Sequence, residues 1–307
     1  MTDARADTDP ERFPARPTVG VVGVGTMGGP IAERIVESFG TVAFDLDADR
    51  LSSVAEAGVT PAEDAGDLAR RADVVFLSLP SSAAVEAAAF DDGLLAGLSE
   101  GDVLVDTGTV DPATTESVAT ACREAGVEFL DVPVSGGPRN AVTGELTAMA
   151  GGDGDVLELI APVLETFSDT IHHVGSVGSG IAMKLANNYM LAVNSAVVCE
   201  ALAMARRAGV DDETFLSVAS SASGDSYALR RNLERFVIPG EYDPEAAVPI
   251  VRKDVFLAEG LGRDLGVPLL AGGETSSIYR LAETRGLEDR DFAALLSLYD
   301  PDEDVVG

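Results

Sequence analysis

The chain has 307 residues, with 52 acidic side chains against 21 basic ones, a net charge of -31 and a pI near 4.1. Regularly spaced apolar segments and 46% hydrophobic content are enough to bury a core, which excludes a disordered polyanion. No basic stripe is present to meet phosphates, so nucleic acid and anionic membranes are excluded as expected partners. Lys184 and Lys253 are the two lysines, leaving nineteen of the 21 basic residues as arginine. Scarce lysine with dense Asp and Glu is the surface composition of proteins that work in concentrated salt, where screening tolerates repulsion.

Met1 to Pro17 is polar, reads as a loose tail rather than a signal peptide or anchor, and the chain is expected to be cytoplasmic. Thr18–Gly23 reads as a strand, followed by a helix from about Met27 to Phe39 and a second strand over Thr41–Asp45. Asp73–Ser78, Val103–Asp106, Val127–Asp131 and Leu146–Ala150 read as buried strands, then a helix near Val156–Phe167 and a strand at Ile171–Val174. Short strands alternating with helices predict an α/β fold, a doubly wound parallel Rossmann-type sheet over 18–178. The pattern changes at the glycine-rich Gly175–Gly180. From there helical periodicity predicts a C-terminal all-helical domain over 179–300, headed by a central helix 179–208 and broken at Gly209, Gly224, Pro239-Gly240, Gly266 and Gly286. Residues 301–307 read as a frayed tail. The run around Lys184 is the closest approach to a membrane span, and its Lys and Asn argue against one. Cys122 and Cys199 belong to no Cys-x-x-Cys pair and read as free buried thiols.

Gly23-Val-Gly25-Thr26-Met27-Gly28 follows a strand and opens a helix. There the glycines permit a tight turn, close backbone approach to a pyrophosphate and helix–strand contact, with the helix N-terminus facing the anion. Asp45 ends the second strand, placed to accept from both ribose hydroxyls of an adenosine and to repel a 2'-phosphate. The expected cofactor is therefore NAD, with NADP possible. His172 and His173 are adjacent on a strand and point to opposite faces, so no metal site is expected.

Four motifs stand in order: the Gly23–Gly28 loop, Asp131-Val-Pro-Val-Ser-Gly-Gly137, Lys184-Leu-Ala-Asn-Asn188 and Lys253-Asp254. Over about Thr18 to Tyr299 the chain resembles the β-hydroxyacid dehydrogenases, in particular the 3-hydroxyisobutyrate dehydrogenase and tartronate semialdehyde reductase branch. The resemblance implies that Lys184 is the catalytic lysine and that Asn188, one turn later, helps orient substrate. It implies that Ser135, Gly136 and Gly137 hold the substrate carboxylate. It also places Leu79, Pro80, Thr109 and Lys253 at the cofactor and implies a homo-oligomer, dimer or tetramer. Gly108, Ser81 and Ala84 depart from residues common in relatives at cofactor positions. Ile181 stands where 6-phosphogluconate dehydrogenases carry His.

Lysine, unlike arginine, sheds its proton when its surroundings lower its pKa. Burial in an apolar helix and a positive nicotinamide disfavour the charged form, while a substrate carboxylate acts oppositely. Lys184 then takes the hydroxyl proton during hydride transfer to NAD, or returns it to the carbonyl of a semialdehyde. The alternatives are an NADPH-preferring semialdehyde or imine reductase, and a non-catalytic dinucleotide sensor. Arg139, just beyond the glycine pair, stays open between a substrate contact and a solvated side chain.

Overall fold

The computed structural model describes residues 14–301, 303 and 305. The predicted tail therefore falls outside the described residues over 1–13. Among the described residues nine strands form one sheet: β1 (Val19–Val22), β2 (Thr41–Phe44), β3 (Thr60–Pro61), β4 (Val74–Leu77), β5 (Val103–Asp106), β6 (Glu128–Asp131), β7 (Val134–Ser135), β8 (Leu146–Gly151) and β9 (Ser168–Gly175). The order β3-β2-β1-β4-β5-β6 is parallel throughout. Side chains alternate between two buried clusters: Val19, Val21, Phe76 and Val105 enter one, and Val22, Val75, Leu77 and Leu104 the other. A sheet whose strands feed two apolar clusters is covered on both faces, which explains the nearly continuous apolar runs.

The expected doubly wound, mainly parallel sheet is present, with one antiparallel departure. Strand β8 runs antiparallel to β6 and β7, pairing Asp131 with Gly151 and Ser135 with Thr147, and β9 then lies parallel to β8. Only ten residues separate Ser135 from Leu146, including the helix Gly137–Thr143. That is too short for the crossover a parallel neighbour requires.

The helix Ser179–Arg207 has 29 residues and no internal break. The chain divides into two compact units between Lys184 and Leu185, within this helix, where the sequence placed the boundary at 178/179. By length and hydropathy it is the one helix among the described residues that could cross a membrane, and a third of its most apolar stretch is buried.

The second unit is helical. Asp212–Ser221, Tyr227–Asn232, Val248–Asp264 and Leu270–Thr284 precede a 3-10 segment, Phe292–Leu298. Of the predicted breaks, Gly209, Gly240, Gly266 and Gly286 adopt positive φ, the left-handed conformation suited to ending a helix. Leu202, Leu233, Phe236, Val255, Tyr279 and Leu296 build its core. Within this core Arg231 is buried between the rings of Phe236 and Phe292, at 4.5 and 4.1 Å from their centroids. Its guanidinium makes two 2.8 Å bonds to the fully buried Asp291.

The expectation of a frayed C-terminus is corrected for the residues described there. Glu303 accepts from Arg206 and Tyr242, and Val305 is buried. Asp302, Asp304, Val306 and Gly307 lie outside the described residues. Cys122 and Cys199 are free and buried, one in each unit, and burial pushes both thiols up to about 12.

Candidate active site

The glycine loop joins β1 to the helix Gly28–Val36. Gly23 has φ +87°, and a Cβ there would meet the Ser78 carbonyl at 2.5 Å and Leu79 at 2.9 Å. A Cβ on Gly28 would overlap the Gly23 carbonyl oxygen, so the helix can approach the strand this closely only with glycine. At Gly25 an added Cβ would face only the Arg50 guanidinium, at 3.3 Å, so this side of the loop is clear of the protein's own backbone. Thr26 is exposed and Met27 half-buried; the helix has no acidic residue in its first turn and no side-chain cap. The positive end of a helix with no side-chain cap and no acid in its first turn, behind a loop cleared by glycines, fits a dinucleotide pyrophosphate.

Asp45 immediately follows β2 and is half-buried. One carboxylate oxygen accepts from the backbone N–H of Val24 in the glycine loop at 2.8 Å, the other from that of Asp47 at 2.8 Å. Each oxygen keeps a further lone pair, so the carboxylate is oriented without being saturated. Arg50 is held by Asp47 at 3.3 Å.

Leu79 and Pro80 follow β4, and Thr109 follows β5, so these positions share the carboxyl edge of the sheet with the glycine loop and Asp45. Strand β1 lies between β2 and β4, making this the point where the strand order reverses, and open α/β sheets bind ligands there. The departures noted in the sequence have structural tasks. Ser81 caps the helix Ser82–Glu86 by accepting from Ala84 N–H at 3.2 Å, and Gly108 N–H donates to Asp106 at 2.8 Å.

Ser135 ends β7 and leads into Gly136, with φ +133°, and Gly137, with φ +73°. The pair turns the chain directly from Ser135 into the helix Gly137–Thr143, and Arg139 is exposed. Lys184 is only 8% exposed, in the second turn of the helix Ser179–Arg207. Asn188, one turn further, is half-buried.

In the second unit, Asn188 donates from Nδ2 to Asp254 at 2.6 Å and accepts from Asn187 at 3.1 Å. Lys253 lies 2.8 Å from the other oxygen of the buried Asp254. Asp254 thus joins the two motif residues, a role the bare Lys-Asp dipeptide did not disclose.

Two buried acids were also missed. Asp106 and Asp131 end neighbouring strands in matched register. Burial pushes each up to about 6, and for Asp106 the charge of Asp131 adds to the effect. Their position at the last residue of an apolar strand was the signal available. His173 bonds the Gly152 carbonyl, and among the described residues no group of three His, Cys, Asp or Glu could hold a metal ion.

Residues 18–175 match the model of the NAD binding domain of 6-phosphogluconate dehydrogenase, and 178–299 that of the NAD-binding domain of NADP-dependent 3-hydroxyisobutyrate dehydrogenase. The chain is 34% identical over 284 residues to 2-(hydroxymethyl)glutarate dehydrogenase of Eubacterium barkeri, covering 92% of this chain and 94% of the relative. It is 32% identical over 291 residues to the NAD-dependent L-serine dehydrogenase of Pseudomonas aeruginosa, covering 92% and 98%. The structure of Mycobacterium tuberculosis 3-hydroxyisobutyrate dehydrogenase with L-serine is similar at a TM-score of 0.86 and 28% identity, covering 93% of this chain and 99% of that one. With both halves matched in order and full-length relatives, the chain belongs to the β-hydroxyacid dehydrogenase family of NAD(P)-dependent oxidoreductases.

Proposed function

We propose that this enzyme interconverts a small β-hydroxyacid bearing a primary alcohol with its semialdehyde, using NAD in preference to NADP and Lys184 as general base and acid. The observation that carries the reading is Lys184, a buried lysine in a chain with two, one helical turn before Asn188. When bound, the nicotinamide supplies the hydride acceptor. Lys184 Nζ takes the hydroxyl proton as the carbinol carbon is oxidised and returns it in reduction. Ser135 and the N–H groups of Gly136 and Gly137 hold the carboxylate without adding a titrating cation. Asn188, with one Nδ2 hydrogen donated to Asp254, has a second to offer the reacting oxygen.

The substrates named for several relatives, 2-(hydroxymethyl)glutarate, L-serine and 3-hydroxyisobutyrate, carry a hydroxymethyl group one carbon from the carboxylate, and L-threonate, named for two others, carries a secondary β-hydroxyl. That common chemistry supports the substrate class. The orientation of Asp45 by Val24 and Asp47 supports NAD, with Lys253 as a further cofactor contact. The acidic surface supports work in concentrated salt in the cytoplasm, with neither nucleic acid nor membrane as partner.

A homo-oligomer, dimer or tetramer, is supported by the long helix. Met183, Met190, Val197 and Met204 are exposed at seven-residue intervals, an apolar stripe suited to burial against another helix.

A panel of hydroxyacids assayed with NAD and NADP in molar salt tests the reading, with Lys184→Ala as control. Turnover is expected with a hydroxymethyl acid and NAD. Lys184→Ala should lower it by about 10²–10⁴-fold with nucleotide binding kept. Tight nucleotide binding without turnover of any acid supports a sensor instead, and higher kcat/KM with NADP overturns the role given to Asp45.

A further inference from the structure

The helix that bears Lys184 starts against a buried carboxylate from another element. Asp131 ends β6, and its side chain accepts from the backbone N–H of Gly178 at 2.8 Å and of Ile181 at 2.7 Å. Gly178 immediately precedes the helix Ser179–Arg207, and Ile181 lies in its first turn, three residues before Lys184. The first N–H groups of a helix have no partners within it, and a carboxylate at this positive end satisfies them with charge as well as hydrogen bonds. The usual device is a side chain at the helix's own N-cap. Here the acceptor comes from a strand 47 residues earlier in the sequence.

The surroundings leave this carboxylate little choice of position. A Cβ on Gly151, opposite Asp131 in the sheet, would stand 2.5 Å from its Oδ1. A Cβ on Gly180 would collide with both the Asp131 carbonyl and its Oδ2. Two glycines thus clear the space in which β6 and the helix start meet. Beyond Asp131 the same strand path continues through Val132 and Pro133 to Ser135 in the carboxylate-binding turn. One side chain therefore ties the helix bearing the lysine to the strand leading to the substrate loop.

We propose that Asp131 is a positioning residue: by holding the first turn of the helix Ser179–Arg207 against the end of β6, it fixes the placement of Lys184 Nζ for proton transfer. This rests on the reading of Lys184 as general base. Asp131 itself touches neither proton nor hydride. Its loss displaces the amine while leaving the nucleotide loop on β1 intact.

The test uses the full-length enzyme in molar salt, comparing wild type, Asp131→Asn, Asp131→Glu and Lys184→Ala. Asparagine keeps the shape, but its NH2 opposes one of the two N–H donors; glutamate keeps the charge but displaces it by a methylene. In Asp131→Asn, kcat should fall at least about tenfold, the solvent deuterium isotope effect on kcat should rise, and the Kd for NADH, read by fluorescence, should stay within about twofold. Asp131→Glu should recover less than half of the loss, because it cannot reach both N–H groups from the same backbone position. An Asp131→Asn kcat within about twofold of wild type overturns the proposal. So does loss of NADH binding in step with kcat, which marks a general folding role. Lys184→Ala turning over at a rate near wild type overturns the reading of the lysine instead, separately from any effect of Asp131.

Discussion

The Nδ2 group of Asn188 donates to Oδ2 of Asp254 at 2.6 Å, and this bond decides which end of the amide is available. A carboxylate accepts only, so nitrogen faces Asp254, while the amide oxygen takes the N–H of Asn187. The hydrogen left on Nδ2 makes Asn188 a donor to substrate oxygen. Asp254→Ala should lower kcat/KM for the hydroxyacid on the order of tenfold, equivalent to about 1.4 kcal/mol, the scale of one charge-assisted hydrogen bond. Steady-state kinetics at saturating nucleotide check this; an unchanged kcat/KM shows that Asn188 is oriented without Asp254.

Asp106 is buried at the end of β5 and held up at about 6, above its ordinary value of 3.8. The folded chain therefore retains this proton over an interval in which the unfolded chain has released it. Stability from this group is greatest in acid and declines as pH rises from about 4 to about 6. Asp106→Asn removes the buried charge and can still accept from Gly108. At pH 7 it should be more stable than wild type, on the order of 2 kcal/mol, with the difference narrowing by pH 5. Denaturant melts of both proteins at the two pH values measure it, and a gap that widens in acid contradicts the assignment.

In the second unit, Asp291 accepts from Arg231 and from the backbone N–H groups of Glu245, Ala246 and Ala293. Asp291→Ala leaves a guanidinium buried between two rings without its bidentate partner, the more distant Glu245 at 3.6 Å being a partly exposed acid. Breaking such a pair costs about 3–5 kcal/mol, more than an exposed ion pair contributes. Arg231→Lys should also destabilise, since an ammonium cannot reproduce the two parallel bonds or the stacking. Thermal denaturation in molar salt gives both values.

Gly28→Ala places a methyl group where the Gly23 carbonyl lies, forcing the helix away from β1. Nucleotide affinity should fall at least about tenfold, because the loop N–H groups no longer converge on one anion. Titration of NADH fluorescence checks the affinity, and circular dichroism checks that the remaining fold is retained.

Strand–helix alternation, the glycine loop and the helical C-terminal half were legible because each is written in local periodicity. The reversal of β8 was not, because strand direction depends on what the short connection from Ser135 to Leu146 can span. The two-residue β3 is too short to carry a pattern. Lys184 stood out through its rarity, and Asn188 through helical spacing. Asp131 and Asp254 were visible as letters in motifs, but their tasks depend on partners 47 and 66 residues away. In a chain with 52 acids, an apolar strand ending in a carboxylate can hint at burial, but nothing local names the partner that the carboxylate serves.

The two cysteines supply a reporter that needs no engineering. Each thiol sits in the core of a different unit, and burial holds both well above the pH of ordinary buffers. Thiolate, the form that alkylating reagents attack, is therefore withheld while either unit stays closed. Pulse alkylation followed by peptide mapping would time the opening of each half of the chain separately, Cys122 reporting on the nucleotide-binding unit and Cys199 on the helical one.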